Sequence, residues 1–205
     1  MKRNFWTKLG LLSLACGLFM TAPTAIINAD DTTTTKNSTA TLNLNSSDAK
    51  LSLDAVPSFP FGTVKTGDIL SGQKLPATAD LRDNNKVTVT DTRLDAKGWQ
   101  LTVKPTAFIN NGKTIAGTLD FTPGTFAFAA GQAKSWTWGS TSLSLSLPGS
   151  STKVASSTGD QEGTASAAIS AATFNATSHN ALASGTYTST LTWNLNATPD
   201  PSASE

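Results

Sequence analysis

The sequence holds one histidine, His179, one cysteine, Cys16, and five tryptophans, and these residue types set the chemistry open to it. One cysteine builds neither a disulfide framework nor a thiolate metal cluster. One histidine builds no multi-histidine metal site. His179 lies in the polar, loop-like stretch Thr177-Ser-His-Asn180 and reads as a solvated residue, with no G-x-S-x-G elbow to serve. Glycoside hydrolysis needs two acids across a cleft, and the only glutamates are Glu162 and Glu205. Asp80, Asp83, Asp91 and Asp95 fall near strand ends, where turn roles explain them, and show no calcium-loop spacing. The expectation is a binding protein with no catalytic residue, no metal and no cofactor.

The indoles carry more information. Trp99-Gln100-Leu101 and Trp193-Asn194-Leu195 repeat one tripeptide pattern about ninety residues apart. In a strand, residues i and i+2 point the same way, about 6.8 Å apart. Each Trp therefore shares a face with its Leu, and two readings stand open: a stripe buried in a core, or an aromatic surface for sugar rings or a protein partner. Trp136 and Trp138 have the same spacing and offer a second aromatic surface, although Phe126 and Phe128 repeat the pattern and favour ordinary packing. Asp91-Thr92-Arg93 places an acid and a base on the same side of a strand end, a structural pair.

The elements that position these residues read as strands. Beyond residue 29, Ser and Thr supply 52 of 176 residues. Thr favours strands, and Ser favours turns and strand edges. Period-two alternation recurs at Leu42-x-Leu44, Leu51-x-Leu53, Val87-x-Val89, Trp99-x-Leu101-x-Val103 and Leu143-x-Leu145-x-Leu147. Near the end, Tyr187, Ser189, Leu191, Trp193 and Leu195 share one face, and Thr186 to Asn196 supply the other. That is an antiparallel strand with one face on a core and one face wet. About ten short strands at this spacing predict an all-β fold, an antiparallel β-sandwich or barrel of Ig-like or jelly-roll-like kind. Residues 148–164, rich in Gly and Ser, read as a long loop, and residues 165–172 as a short helix or a small-residue strand, the strand favoured by the β chemistry around it.

Residues 1–29 read as a signal peptide: a basic start at Lys2, Arg3 and Lys8, an apolar run from Leu9 to Met20 too short for a resident span, and Ile27-Asn28-Ala29 as the cleavage site. Ser13 stands where a lipidation signal places Leu, so Cys16 is not read as lipidated. Residues 30–40 form a Thr-rich linker, 41–198 the domain, and 199–205 a disordered C-terminal tail. Removing the signal leaves a formal charge of −2. No basic block and no second apolar span follow, which argues against a nucleic-acid partner and an integral membrane segment. The same charge argues against attraction to polyanionic wall polymers as the driving force.

Val87-Thr-Val-Thr-Asp-Thr-Arg93, then Gly98-Trp-Gln-Leu-Thr-Val103, and finally Gly185-Thr-Tyr-Thr-Ser-Thr-Leu-Thr-Trp-Asn-Leu195 resemble the WxL family of bacterial surface proteins. Phe61-Gly62 and Gly117-Thr-Leu-Asp-Phe121 match as well, and the resemblance runs from about Leu42 to Ala197. It implies a small secreted WxL protein on a Gram-positive cell surface. The protein would be held non-covalently by peptidoglycan and would work beside a WxL-interacting surface protein. The binding residues it implies are the two tripeptides, Trp99 to Leu101 and Trp193 to Leu195. The competing expectation makes the partner protein the direct ligand and adds contact with host extracellular matrix.

Overall fold

The structure, a computed structural model, describes residues 36–78, 85–94, 97–128, 135–159 and 162–198. The described residues from Asn43 onward belong to one compact unit, and residues 36–42 to a separate one that is irregular and exposed. The expected signal peptide and C-terminal tail, with Cys16, Asp80, Asp83 and Asp95, lie outside the described residues.

The described elements in chain order are β1 (Leu51–Ala55), α1 (Thr66–Leu70), β2 (Lys74–Pro76), β3 (Lys86–Asp91), β4 (Gly98–Pro105), β5 (Phe108–Asn110), β6 (Lys113–Pro123), β7 (Ala127–Phe128), β8 (Thr137–Trp138), β9 (Leu143–Leu147), β10 (Thr152–Thr158), β11 (Gly163–Asn180) and β12 (Leu191–Ala197). They build two antiparallel sheets. The larger runs β1-β3-β11-β6-β5, with β2 and β7 also on β11 and β9 on β6. The smaller runs β12-β4-β10-β8. The all-β, sandwich-like expectation holds.

β11 organises the larger sheet. Its first part pairs with β3 and β7, and its second with β6 and β2. A register shift between Ile169 and Ala171 changes which side chains face inward. Before it the buried positions are Gly163, Ala165, Ala167 and Ile169; after it they are Ala172, Phe174 and Ala176. One extra residue reverses parity and bends the strand, which lets a single strand span 18 residues and still keep one side in the core. Asn111 and Gly112, both at positive φ (45° and 78°), close the two-residue hairpin between β5 and β6, the geometry that Asn-Gly pairs favour.

The core fills from both sheets: Trp99, Leu101 and Val103 from β4, Val154 from β10, and Val87, Leu119, Phe121, Leu145 and Phe174 from the larger sheet.

Three expectations about local structure need correction. The long Gly/Ser-rich loop over 148–164 is not a loop: β10 occupies Thr152–Thr158 between β4 and β8. Its buried residues, Val154, Ala155 and Ser157, are small, so apolar alternation fails to announce it. His179 is not in a loop either. It lies in β11, opposite Ile115, with its side chain exposed. Leu42 and Leu44 alternate but form no strand and are 89% and 74% exposed.

Candidate functional site

The two tripeptides lie on neighbouring strands. β4 and β12 pair antiparallel with Leu101 opposite Leu195, Trp193 opposite Val103 and Ala197 opposite Trp99. The two motifs are thus related by a local two-fold through the leucine pair. Trp99 and Trp193 stand four residue pairs apart along the ladder, about 14 Å at strand spacing. They do not form one aromatic platform.

Their environments also differ. Trp99 is 0% exposed, and Leu101 is equally buried. The Trp99 indole meets Trp136 edge-on at 5.1 Å and Phe126 at 6.2 Å, within a cluster that includes Phe128 and Trp138. This is the core stripe, and Trp99 and Leu101 have no surface to offer a ligand. Trp136 is buried in the same cluster, so it supplies no stacking platform. Trp138 is half-buried, stacks on Phe126 at 5.2 Å and donates its indole N–H to the Gly124 carbonyl at 2.9 Å. Phe126 and Phe128 therefore do pack against these indoles.

Trp193 and Leu195 are only half-buried. Trp193 and Leu191 line a cleft of about 190 Å³ with Phe59, Phe61 and Phe108. The same three phenylalanines border a second cleft of about 610 Å³ that reaches Tyr187 and the 182–186 turn. Phe61, Phe108 and Phe174 form a ring cluster in its wall, with centroids 4.8–6.0 Å apart. The Tyr187 hydroxyl bonds both the N–H and the C=O of Ala183, closing the turn on itself. Sequence patterning did not assemble this groove, because Phe59, Phe108 and Trp193 come from three distant segments.

β12 is the edge of its sheet. Thr106 donates its N–H to Thr190 O, and Thr198 donates to Gly98 O, so the even-numbered residues turn their main chain toward β4. By antiparallel alternation, Leu191, Trp193, Leu195 and Ala197 turn theirs away.

The middle residues of both motifs face solvent. Gln100 and Asn194 are exposed, each diagonal to the other across the leucine pair. Around them lie Thr102, Lys104, Lys153, Ser156, Thr192 and Asn196. Of this set the sequence puts Gln100 and Asn194 in the tripeptides and Thr192, Asn194 and Asn196 on the wet face of the last strand; the outward positions of Gly98–Pro105 are the available signal for Thr102 and Lys104.

Asp91-Thr92-Arg93 anchors this end of β4. Asp91 is 1% exposed and takes two Arg93 side-chain bonds, from Nε and a terminal nitrogen, both at 2.8 Å. The same guanidinium donates to the Gly98 carbonyl at 3.0 Å, one residue before the first tryptophan. The bond to Asp91 raises the Arg93 pKa above its ordinary value. Thr92 hydroxyl accepts from the Lys50 N–H and donates to the Asp48 carbonyl, holding the segment before β1. Gly98 sits at φ +102°, and a Cβ there would run into the Ser157 carbonyl oxygen on β10.

Among the described residues no group of three or more His, Cys, Asp or Glu side chains is placed to hold a metal ion, and no helix is long and apolar enough to cross a membrane. No curated protein and no solved structure shows a significant similarity to the chain. The sequence model of the WxL domain, described as surface cell wall-binding, matches residues 20–199. With both tripeptides paired in one sheet and that match spanning most of its length, the chain belongs to the WxL domain family of cell-wall-binding surface proteins.

Proposed function

We propose that this is a secreted, non-catalytic protein that attaches without a covalent bond to peptidoglycan. The observation that carries the reading is the pairing of β4 with β12. It buries Trp99 and Leu101, half-buries Trp193 and Leu195, and leaves Gln100 and Asn194 on one exposed face. The tryptophans then act as supports for a binding surface and not as the surface itself. The test is sedimentation of the purified protein with washed peptidoglycan sacculi over a range of salt. Saturable co-sedimentation supports the reading; absence of binding at every salt concentration refutes it.

A second reading makes a WxL-interacting protein the direct ligand, with host-matrix contact as a consequence. It draws support from the outer edge of β12, which is unpaired among the described residues, beside an apolar groove that Trp193 helps to line. An extended segment of a partner adds naturally to such an edge. Complex formation with a purified partner in the absence of peptidoglycan supports it, and strict dependence on sacculi refutes it.

A further inference from the structure

We infer that the outward face of β12, β4 and β10 is the surface that meets the wall polymer, and that Lys104 and Lys153 on it receive carboxylates of peptidoglycan. This rests on the peptidoglycan reading and deepens it.

The face is polar and cationic, with no acid on its strands. Its central side chains are Gln100, Thr102, Lys104, Lys153, Asn194 and Asn196. The strands β4, β10 and β12 contain no Asp or Glu at all. Asn is disfavoured in strands, yet β12 places two at alternating outward positions. A local rule broken without a packing gain marks a functional position. The side-chain amides of Gln100, Asn194 and Asn196 make no hydrogen bond within the described residues, and neither lysine is in an ion pair there. These groups are left for something outside the chain.

The charge pattern selects the partner. The protein beyond residue 29 is slightly acidic, but this face carries only cations. Lys153 pairs with Thr102, two residues from Lys104, which puts the two lysines diagonal to each other, about 7–8 Å apart at the backbone. Two ammonium groups among neutral amides and hydroxyls suit a ligand with many acetamido, hydroxyl and peptide-amide groups and a sparse set of carboxylates. A polymer with a phosphate in every repeat would call for a denser array of cations. Lysine acts here as a point charge on a flexible stem and tolerates variation in where each carboxylate lies.

The experiment compares the full chain with Lys104→Gln/Lys153→Gln, Asn194→Ala/Asn196→Ala and a charge-matched control, Lys74→Gln/Lys86→Gln, on β2 and β3. Each is sedimented with three preparations of sacculi: untreated, stripped of phosphate polymers by acid, and stripped with the carboxylates then amidated. Melting temperatures are measured on the same samples. The inference expects the native protein to bind stripped sacculi. The Lys104/Lys153 variant should bind them about tenfold more weakly at an unchanged melting temperature. Amidation should weaken the native protein by a similar factor and leave that variant unaffected. The asparagine variant should lose affinity without losing salt sensitivity, and the control should bind as the native protein does. Native-like binding by the Lys104/Lys153 variant, an equal loss in the control, or loss of native binding when phosphate polymers are removed overturns the inference while wall attachment stands. Failure of the native protein on all three preparations overturns the peptidoglycan reading itself.

Discussion

Truncating the two motif tryptophans separates support from contact, because they sit in the same tripeptide but not in the same surroundings. Trp99 is fully buried and packs its indole against Trp136 and Phe126. Removing a buried Trp costs about 3–5 kcal/mol, with each lost aromatic pair within that sum. Trp193 is half-buried in a cleft wall and has less to lose, about 2 kcal/mol. For a domain of this size each kcal/mol lowers the melting temperature by about 2–4 °C. Trp99→Ala should therefore melt about 6–20 °C lower than the native protein, and Trp193→Ala about 4–8 °C lower. Trp99→Phe should be far milder, because the Trp99 N–H has no hydrogen-bond partner to lose. The assay is thermal unfolding by circular dichroism, with sedimentation on sacculi well below each transition. Both alanine variants should still bind at low temperature while folded. If Trp193→Ala proves as destabilising as Trp99→Ala, the assignment of one interior and one marginal tryptophan is wrong. If folded Trp99→Ala fails to bind, the indole does more than support.

Three further outcomes follow from the geometry. Arg93→Ala leaves the Asp91 carboxylate buried without its bidentate partner and should cost about 3 kcal/mol by urea unfolding; Arg93→Lys, which cannot form the fork, should recover only part of it. Gly98→Ala places a methyl group against the Ser157 carbonyl at a left-handed backbone angle, and should destabilise by about 2 kcal/mol or more in the same assay. The Thr90 hydroxyl holds the Asp54 carboxyl below its usual 3.8, opposed in part by burial. A depressed carboxylate stabilises the fold above its unfolded pKa and loses that contribution as pH falls through the folded value. Thr90→Val should therefore flatten the acid side of the stability profile below about pH 4 and leave the neutral limb with the same slope.

What could be read from the sequence tracks side-chain size. Strands built on Val, Leu, Trp and Phe announce themselves by alternation, as in β3, β4, β9 and β12. The Asp91–Arg93 pair follows from a spacing of two. β10 and much of β11 bury Ala, Ser and Gly, so their inward faces carry little apolar signal, and from sequence the first reads as a loop. His179 shared that fate, since Thr, Ser and Asn around it suggest a turn until β6 supplies a partner strand. Leu42 and Leu44 show the converse: two apolar residues in alternation do not make a strand without a neighbour. The asymmetry between Trp99 and Trp193 is set by strand order, which places β12 at an edge and β4 inside. No local pattern encodes that order.

The pairing of Gly98–Pro105 with Leu191–Ala197 also has a temporal side. Ladders that join distant segments close late, after the entropy of the intervening loop has been overcome. Two of the three side-chain amides, Asn194 and Asn196, belong to a strand that arrives some ninety residues after Gln100. A growing polypeptide thus carries scattered Asn, Gln and Lys side chains with no common geometry until the ladder between β4 and β12 brings them onto one face.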